Sequence, residues 1–183
     1  MARTVNPAAE AERFLGALDE KSLAIDEAIA QAKSGVAHSS FAAYKVFSDA
    51  ASDFDGFCIL IEYRIKKIAD DAERAGFEGR LLTARVHAMT RMLKASIELI
   101  GAVANQKELP LGAKDVFLRE LRSIYNLKNT LSRPPFLGQL PGDTGHDLDL
   151  AEKILREIID KAPALLELTP AEPAEPASPT PTA

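Results

Sequence analysis

Only one cysteine, Cys58, occurs in the 183 residues, which excludes an internal disulfide framework and any zinc site built from several thiolates. Long apolar runs are missing too. The run from Cys58 to Ile61 falls far short of the roughly 20 residues that span a bilayer. The opening residues MARTVNPAAEAERF carry no apolar stretch of the kind an export signal needs, so a soluble, cytoplasmic protein with no membrane partner is expected. An excess of positive charge is also lacking: 22 basic against 27 acidic residues leave a net charge of −5, and such a chain has no general attraction for nucleic acid. Nor is there a glycine-rich phosphate loop, a close cluster of histidines and carboxylates, or a serine nucleophile elbow. His38, His87 and His146 are scattered. No catalytic residue, cofactor or metal is therefore expected, and the chain is read as something other than an enzyme.

What is present is apolar periodicity in a chain that is 46% hydrophobic. Asn6 and Pro7 form a helix start, with a side-chain cap followed by a residue that lacks only an amide the first turn does not need. The helix is expected over residues 7–33 with Ala11, Phe14, Leu18, Ile25, Ala28 and Ala32 on one face, interrupted by Lys21, and with Gly35 ending it. Next come Tyr44, Phe47, Ala51, Phe54, Cys58, Ile61, Ile65, Ile68, Ala72 and Ala75, spaced alternately by three and four. This heptad seam predicts a second helix over 37–75, about 58 Å long at 1.5 Å per residue. "GFEG" at 76–79 is read as its stop, with Gly76 as a left-handed cap. Leu82, Val86, Met89, Leu93, Ser96, Ile100 and Val103 predict an antiparallel partner over 80–106. Phe117, Leu121, Ile124 and Leu131 predict a fourth helix over 113–132.

The segment "SRPPFLGQLPGDTGHD", residues 132–147, reads as an extended loop that sets Phe136 and Leu137 on the bundle. A fifth helix follows, capped by Asp147 or Asp149, with Leu150, Ile154, Leu155, Ile158 and Ile159 inward and Pro163 as its limit. Six prolines, three glutamates and no basic residue follow Lys161, the composition of a disordered tail. The expected architecture is an all-α, elongated antiparallel bundle over residues 1–162 with a disordered Pro/Glu-rich tail over 163–183.

Three groups of residues bear on function. A second helix longer than its neighbours leaves part of its stripe uncovered, so Tyr44, Phe47, Phe54, Ile61, Ile65 and Ile68 are read as a seam for self-association. Basic residues concentrate on the third and fourth helices, where Arg80, His87, Arg91, Lys94, Arg119 and Arg122 are read as a binding face for an acidic ligand or another protein. The commonest role of such charges is a solvated helical face. The run "ALLEL" at 164–168 suits a docking peptide. Together these predict a non-enzymatic, self-associating scaffold or adaptor, with a homo-oligomer and another protein as partners and nucleic acid possible but not favoured.

Two resemblances give the alternatives. "RVHAMTRMLKASIELI", residues 85–100, resembles the phosphoacceptor hairpin of sensor histidine kinases and histidine phosphotransferases. It has Ala88 and Met92 where the kinase pattern carries an acidic residue and a proline. The resemblance, over residues 80–132, implies a phosphorelay through His87 with Arg91 or Lys94 beside the phosphate. "IDEAIAQAKSGVAHSSFAAYKVF", residues 25–47, resembles the helix-turn-helix of phage small terminase subunits, with Gly35 and Val36 in the turn, and implies DNA binding. Five acidic residues against Lys33 and Lys45 over 23–56 work against that. "SDFDGFCILIE", residues 52–62, places Asp53, Asp55 and Glu62 on calcium-loop positions around Gly56, but Ala51 stands at the first ligand position and the seam runs through the segment as helix.

Overall fold

The computed structural model describes residues 6–37, 42–104 and 113–166, and all of its regular elements are helical. Helix α1 spans Pro7–Ala37, α2 Ala42–Ile65, α3 Asp71–Ala104, α4 Ala113–Leu131 and α5 Thr144–Leu166, with a 3-10 turn at Phe136–Gln139 before α5. The all-α bundle is thus as the periodicity predicts.

At the start of α1 the Ala8 amide donates to Oδ1 of Asn6 at 3.0 Å, which satisfies one of the first-turn donors. The helix then runs through Gly35 and Val36 to Ala37. Gly35 is therefore not a stop, and the turn proposed at Gly35 and Val36 for a helix-turn-helix is not formed there. His38 lies outside the described residues.

The largest correction concerns the first hairpin. The second helix ends at Ile65 rather than near 75, and α3 begins at Asp71, so "GFEG" lies inside α3. Asp70 caps the new helix, its Oδ1 accepting from the Glu73 amide at 2.7 Å. An aspartate followed three residues later by a glutamate is a capping-box arrangement. The Arg74 guanidinium donates to the Ile68 carbonyl at 3.2 Å and pairs with Asp71, which ties the turn to the helix it opens. Gly76 and Gly79 sit within α3 without a left-handed backbone, so neither glycine marks a turn. The seam stops at Ile68, and Ala72 and Ala75 are exposed. With α2 at 24 residues, the excess length that argued for self-association through the seam disappears.

Pairings fix the directions of the helices. Glu10 meets Arg64 and Phe14 meets Phe57, so α1 and α2 are antiparallel. Glu12 meets Arg80 and Lys33 meets Glu98, so α1 and α3 are parallel. Ser96 meets Ser123 and Thr83 meets Gln139, so the chain returns along α3 through α4. The centre of the bundle is α3, which packs on α1, α2, α4 and α5. Between Val86 and Val103 it buries residues on every side: Ala88, Met92, Ala95, Ile97 and Leu99 join the stripe. A helix apolar nearly all round belongs at the middle of a core. The fourth helix has the limits expected of it. The fifth starts at Thr144, at least four residues early, so Asp147 and Asp149 lie inside it and do not cap it, and it continues through Pro163 to Leu166. Residues 167–183, where the sequence places most of the acidic tail, lie outside the described residues.

Candidate functional site

The basic residues of α3 do not form one open face with those of α4. Arg80 donates to both carboxylate oxygens of Glu12, at 2.5 and 3.0 Å. Arg91 donates to Asp26 at 2.5 Å and to Ser22. Glu12, Asp19, Asp26 and Lys33 recur every seven residues on α1, and at the last position the sign reverses, with Lys33 pairing to Glu98. The flank of α3 that carries Arg80, His87 and Arg91 is thus turned to a mostly acidic row on a parallel neighbour. The Arg80 hydrogen bond holds the Glu12 carboxyl below its ordinary range, and Glu12 in turn raises Arg80. Lys94 is exposed and makes no ion pair among the described residues. On α4, Arg119 reaches Ser48 of α2 at 3.3 Å, and Arg122 is exposed.

His87 sits at an open hollow of about 680 Å³ that Asp19, Ser22, Gly76, Arg80 and Thr83 also line. Its ring is exposed and makes no hydrogen bond or ion pair with the described residues. Asp19 is the acidic residue of this hollow.

The inner and outer faces of α2 are both apolar in its second half. On the inner face Tyr44, Phe47, Phe54, Ile61 and Ile65, with Ile68 just beyond the helix, are all buried within the one chain. On the outer face Ile59 is 65% exposed, Tyr63 58% and Leu60 40%. The Lys67 ammonium stands 4.4 Å above the Tyr63 ring, a cation–π contact that holds the ring on the surface. Asp49 and Asp53 precede this patch on the exposed side, and Lys66 and Lys67 follow it. The signal for it was present in the run Cys58–Ile61, since consecutive apolar residues must fall on more than one face of a helix. Reading the run only as seam hid Ile59 and Leu60.

Beside the patch, α2, α3 and the 3-10 turn enclose a groove of about 530 Å³ lined by Glu62, Lys66, Leu82, Arg85 and Phe136. Within it Arg85 pairs with Glu62 and lies 5.3 Å from the Phe136 ring centre. Cys58 lies buried nearby, and burial pushes its thiol up to about 12, with Arg85 opposing. Such a thiol carries almost no thiolate at neutral pH.

A second buried polar cluster joins α2 to α4. Tyr44 donates to Oε1 of Glu120 at 2.5 Å. Glu120 is 3% exposed, and its Oε2 has no hydrogen-bond partner among the described residues. Burial raises the Glu120 carboxyl above its ordinary range, against the Ser96 and Tyr44 hydroxyls and Arg119. Burial, then Glu120, also raise the Tyr44 phenol.

The segment 51–62 is continuous helix, with Asp53, Asp55 and Glu62 spread along it, and the described residues hold no group of three or more potential metal ligands. Among the described residues no helix is long and apolar enough to cross a membrane. No known protein family, curated protein or solved structure matches the chain.

Proposed function

We propose that this protein is a non-enzymatic, cytoplasmic helical scaffold that associates with itself and with a partner protein through its outer helical surface. The observation that carries the reading is the exposed apolar patch of Ile59, Leu60 and Tyr63 on a helix whose inner face is already filled. Scattered exposed apolar side chains are ordinary, but a contiguous group flanked by charge is the usual mark of a protein interface. Between α1 and α3 the ion pairs of Arg80 and Arg91 occupy the basic groups that a ligand would need. Light scattering coupled to size-exclusion chromatography, run as a concentration series on the full chain and on a truncation after Leu166, where α5 ends, tests the reading. A species larger than one chain is expected in both. A monomer throughout removes the self-association.

One observation favours a second reading, phosphotransfer through His87: the imidazole is exposed and without a partner among the described residues. Against it, Asp19 lines the same hollow, and Arg80 and Arg91 are engaged with α1. A phosphoryl group there would meet a carboxylate, with Arg80 and Arg91 already paired to other groups.

A further inference from the structure

The outer face of α2 has an arrangement that a second copy of this chain would complete. Along the helix and into the turn after it, the exposed side presents Lys45 paired with Asp49, then Asp53, then Gly56, Ile59, Leu60 and Tyr63, then Lys67 in the turn. From Asp53 onward the order is acidic, apolar, basic. Two such helices laid antiparallel put the acidic end of each against the basic end of the other and apolar against apolar, whereas a parallel pair sets like charge on like. Closed two-fold pairing needs this self-complementarity, in which a residue i meets j and j meets i.

The positions fit a single register. Asp53 and Lys67 each stand seven residues from Leu60, and Gly56 and Tyr63 stand four before and three after it. With the two-fold axis at Leu60, each Asp53 faces Lys67 of the second copy on the same flank. Each Gly56 then lies within one residue of the level of a Tyr63 ring, and Ile59 and Leu60 close the centre.

Gly56 supplies an observation independent of the charges. It lies in the middle of α2, exposed, and a Cβ built on it would meet nothing within 4 Å. A glycine inside a helix weakens it relative to alanine, and nothing among the described residues requires one here. A glycine opposite an aromatic ring of a neighbouring helix has such a requirement, because the missing side chain lets the ring lie against the backbone.

We infer that the outer face of α2 is a two-fold interface between copies of this chain, antiparallel and centred on Leu60, with Asp53 opposite Lys67 and Gly56 beside Tyr63. The inference rests on the self-association proposed above and names its surface and register. One helix face is at the small end of specific interfaces, so the dimer is a reversible one.

The test uses the full chain in sedimentation velocity over a concentration series, with Asp53→Lys, Lys67→Glu and Gly56→Leu. All three positions are exposed, and circular dichroism checks that the variants keep their helices. Each charge variant sets like charges together twice per dimer, and its dimer is expected to weaken by at least about tenfold. Gly56→Leu is expected to abolish the dimer. The decisive sample is an equimolar mixture of Asp53→Lys with Lys67→Glu. In a mixed pair the two substituted positions face each other with opposite charges at one contact, and the native Asp53 and Lys67 do so at the other. Association then returns to within about threefold of wild type. An assembly that Asp53→Lys and Gly56→Leu leave intact overturns this interface and keeps the scaffold reading. So does a mixture that stays dissociated while the wild type is dimeric. A chain that is monomeric throughout overturns both.

Discussion

The Tyr44 hydroxyl of α2 donates to the Glu120 carboxylate of α4 across 76 positions of sequence, at 2.5 Å and out of contact with solvent. With Arg119 to Ser48, it joins α4 to α2. Because burial raises Glu120 above its ordinary value of 4.5, the folded protein holds this proton more tightly than the unfolded chain does. The stabilisation is fully present below about pH 4.5 and is lost as pH rises through the folded-state value. Urea unfolding between pH 4 and pH 8 should show wild-type stability declining relative to Glu120→Gln, which cannot ionise. A constant difference between the two would mean that Glu120 titrates normally. Tyr44→Phe removes the donor and is expected to cost about 1–3 kcal/mol.

The first hairpin makes two opposed predictions. Asp70→Ala removes the cap of α3 and should destabilise by about 0.5–2 kcal/mol. Gly76→Ala should stabilise by about 0.5–1 kcal/mol, because Gly76 is helical with open space around its Cα. Were Gly76 a left-handed cap, alanine there would destabilise instead. Thermal unfolding of the two variants decides the matter.

These residues also show where the sequence was legible and where it was not. Helix faces follow from apolar spacing, and Asn6 with Pro7 marked the start of α1. The hairpin was misplaced because the three-and-four spacing carries on through Ile68 to Ala72 and Ala75 on the far side of the turn, while two glycines nearby give a louder signal than Asp70 and Glu73. For α3 one stripe was read, yet Ala88, Met92 and Leu99 are also buried, since the number of helices packed on a given helix is a tertiary property. The basic face was misread for the same reason: Arg80 and Arg91 show as charges in the sequence, but their partners Glu12 and Asp26 lie 68 and 65 positions away.

Cys58 should behave as a reporter of opening. With its thiol buried and pushed up to about 12, iodoacetamide is expected to leave the native protein unmodified over a period that labels it fully in urea. Labelling at the same rate in both conditions would mean that the thiol is open to solvent in the folded state.

The sign reversal along the α1 and α3 pairing matches their register. Lys33 pairs with Glu98 where the preceding pairs place acid on α1 and base on α3. Lys33→Glu and Glu98→Lys should each destabilise, and the double exchange should recover most of the loss. Both side chains are more than two-fifths exposed, so the coupling is expected at about 0.2–1 kcal/mol and should shrink in high salt. A double mutant no better than the sum of the singles would show the pair contributes nothing.

His87 carries the last prediction. An exposed side chain with no hydrogen bond or ion pair among the described residues contributes little to folding, so His87→Ala should change stability by less than about 0.5 kcal/mol. Its chemistry is then tested without confusion from misfolding. Incubation of both proteins with a phosphorylated histidine donor, read as acid-labile label, is expected to leave wild type and variant alike unlabelled, because Asp19 shares the hollow and repels a phosphoryl group. Asp19→Asn removes that repulsion in the same assay. Label on wild type but not on His87→Ala would establish the relay and displace the scaffold reading. Label appearing only with Asp19→Asn would show an imidazole able to accept a phosphoryl group and held from doing so by one carboxylate.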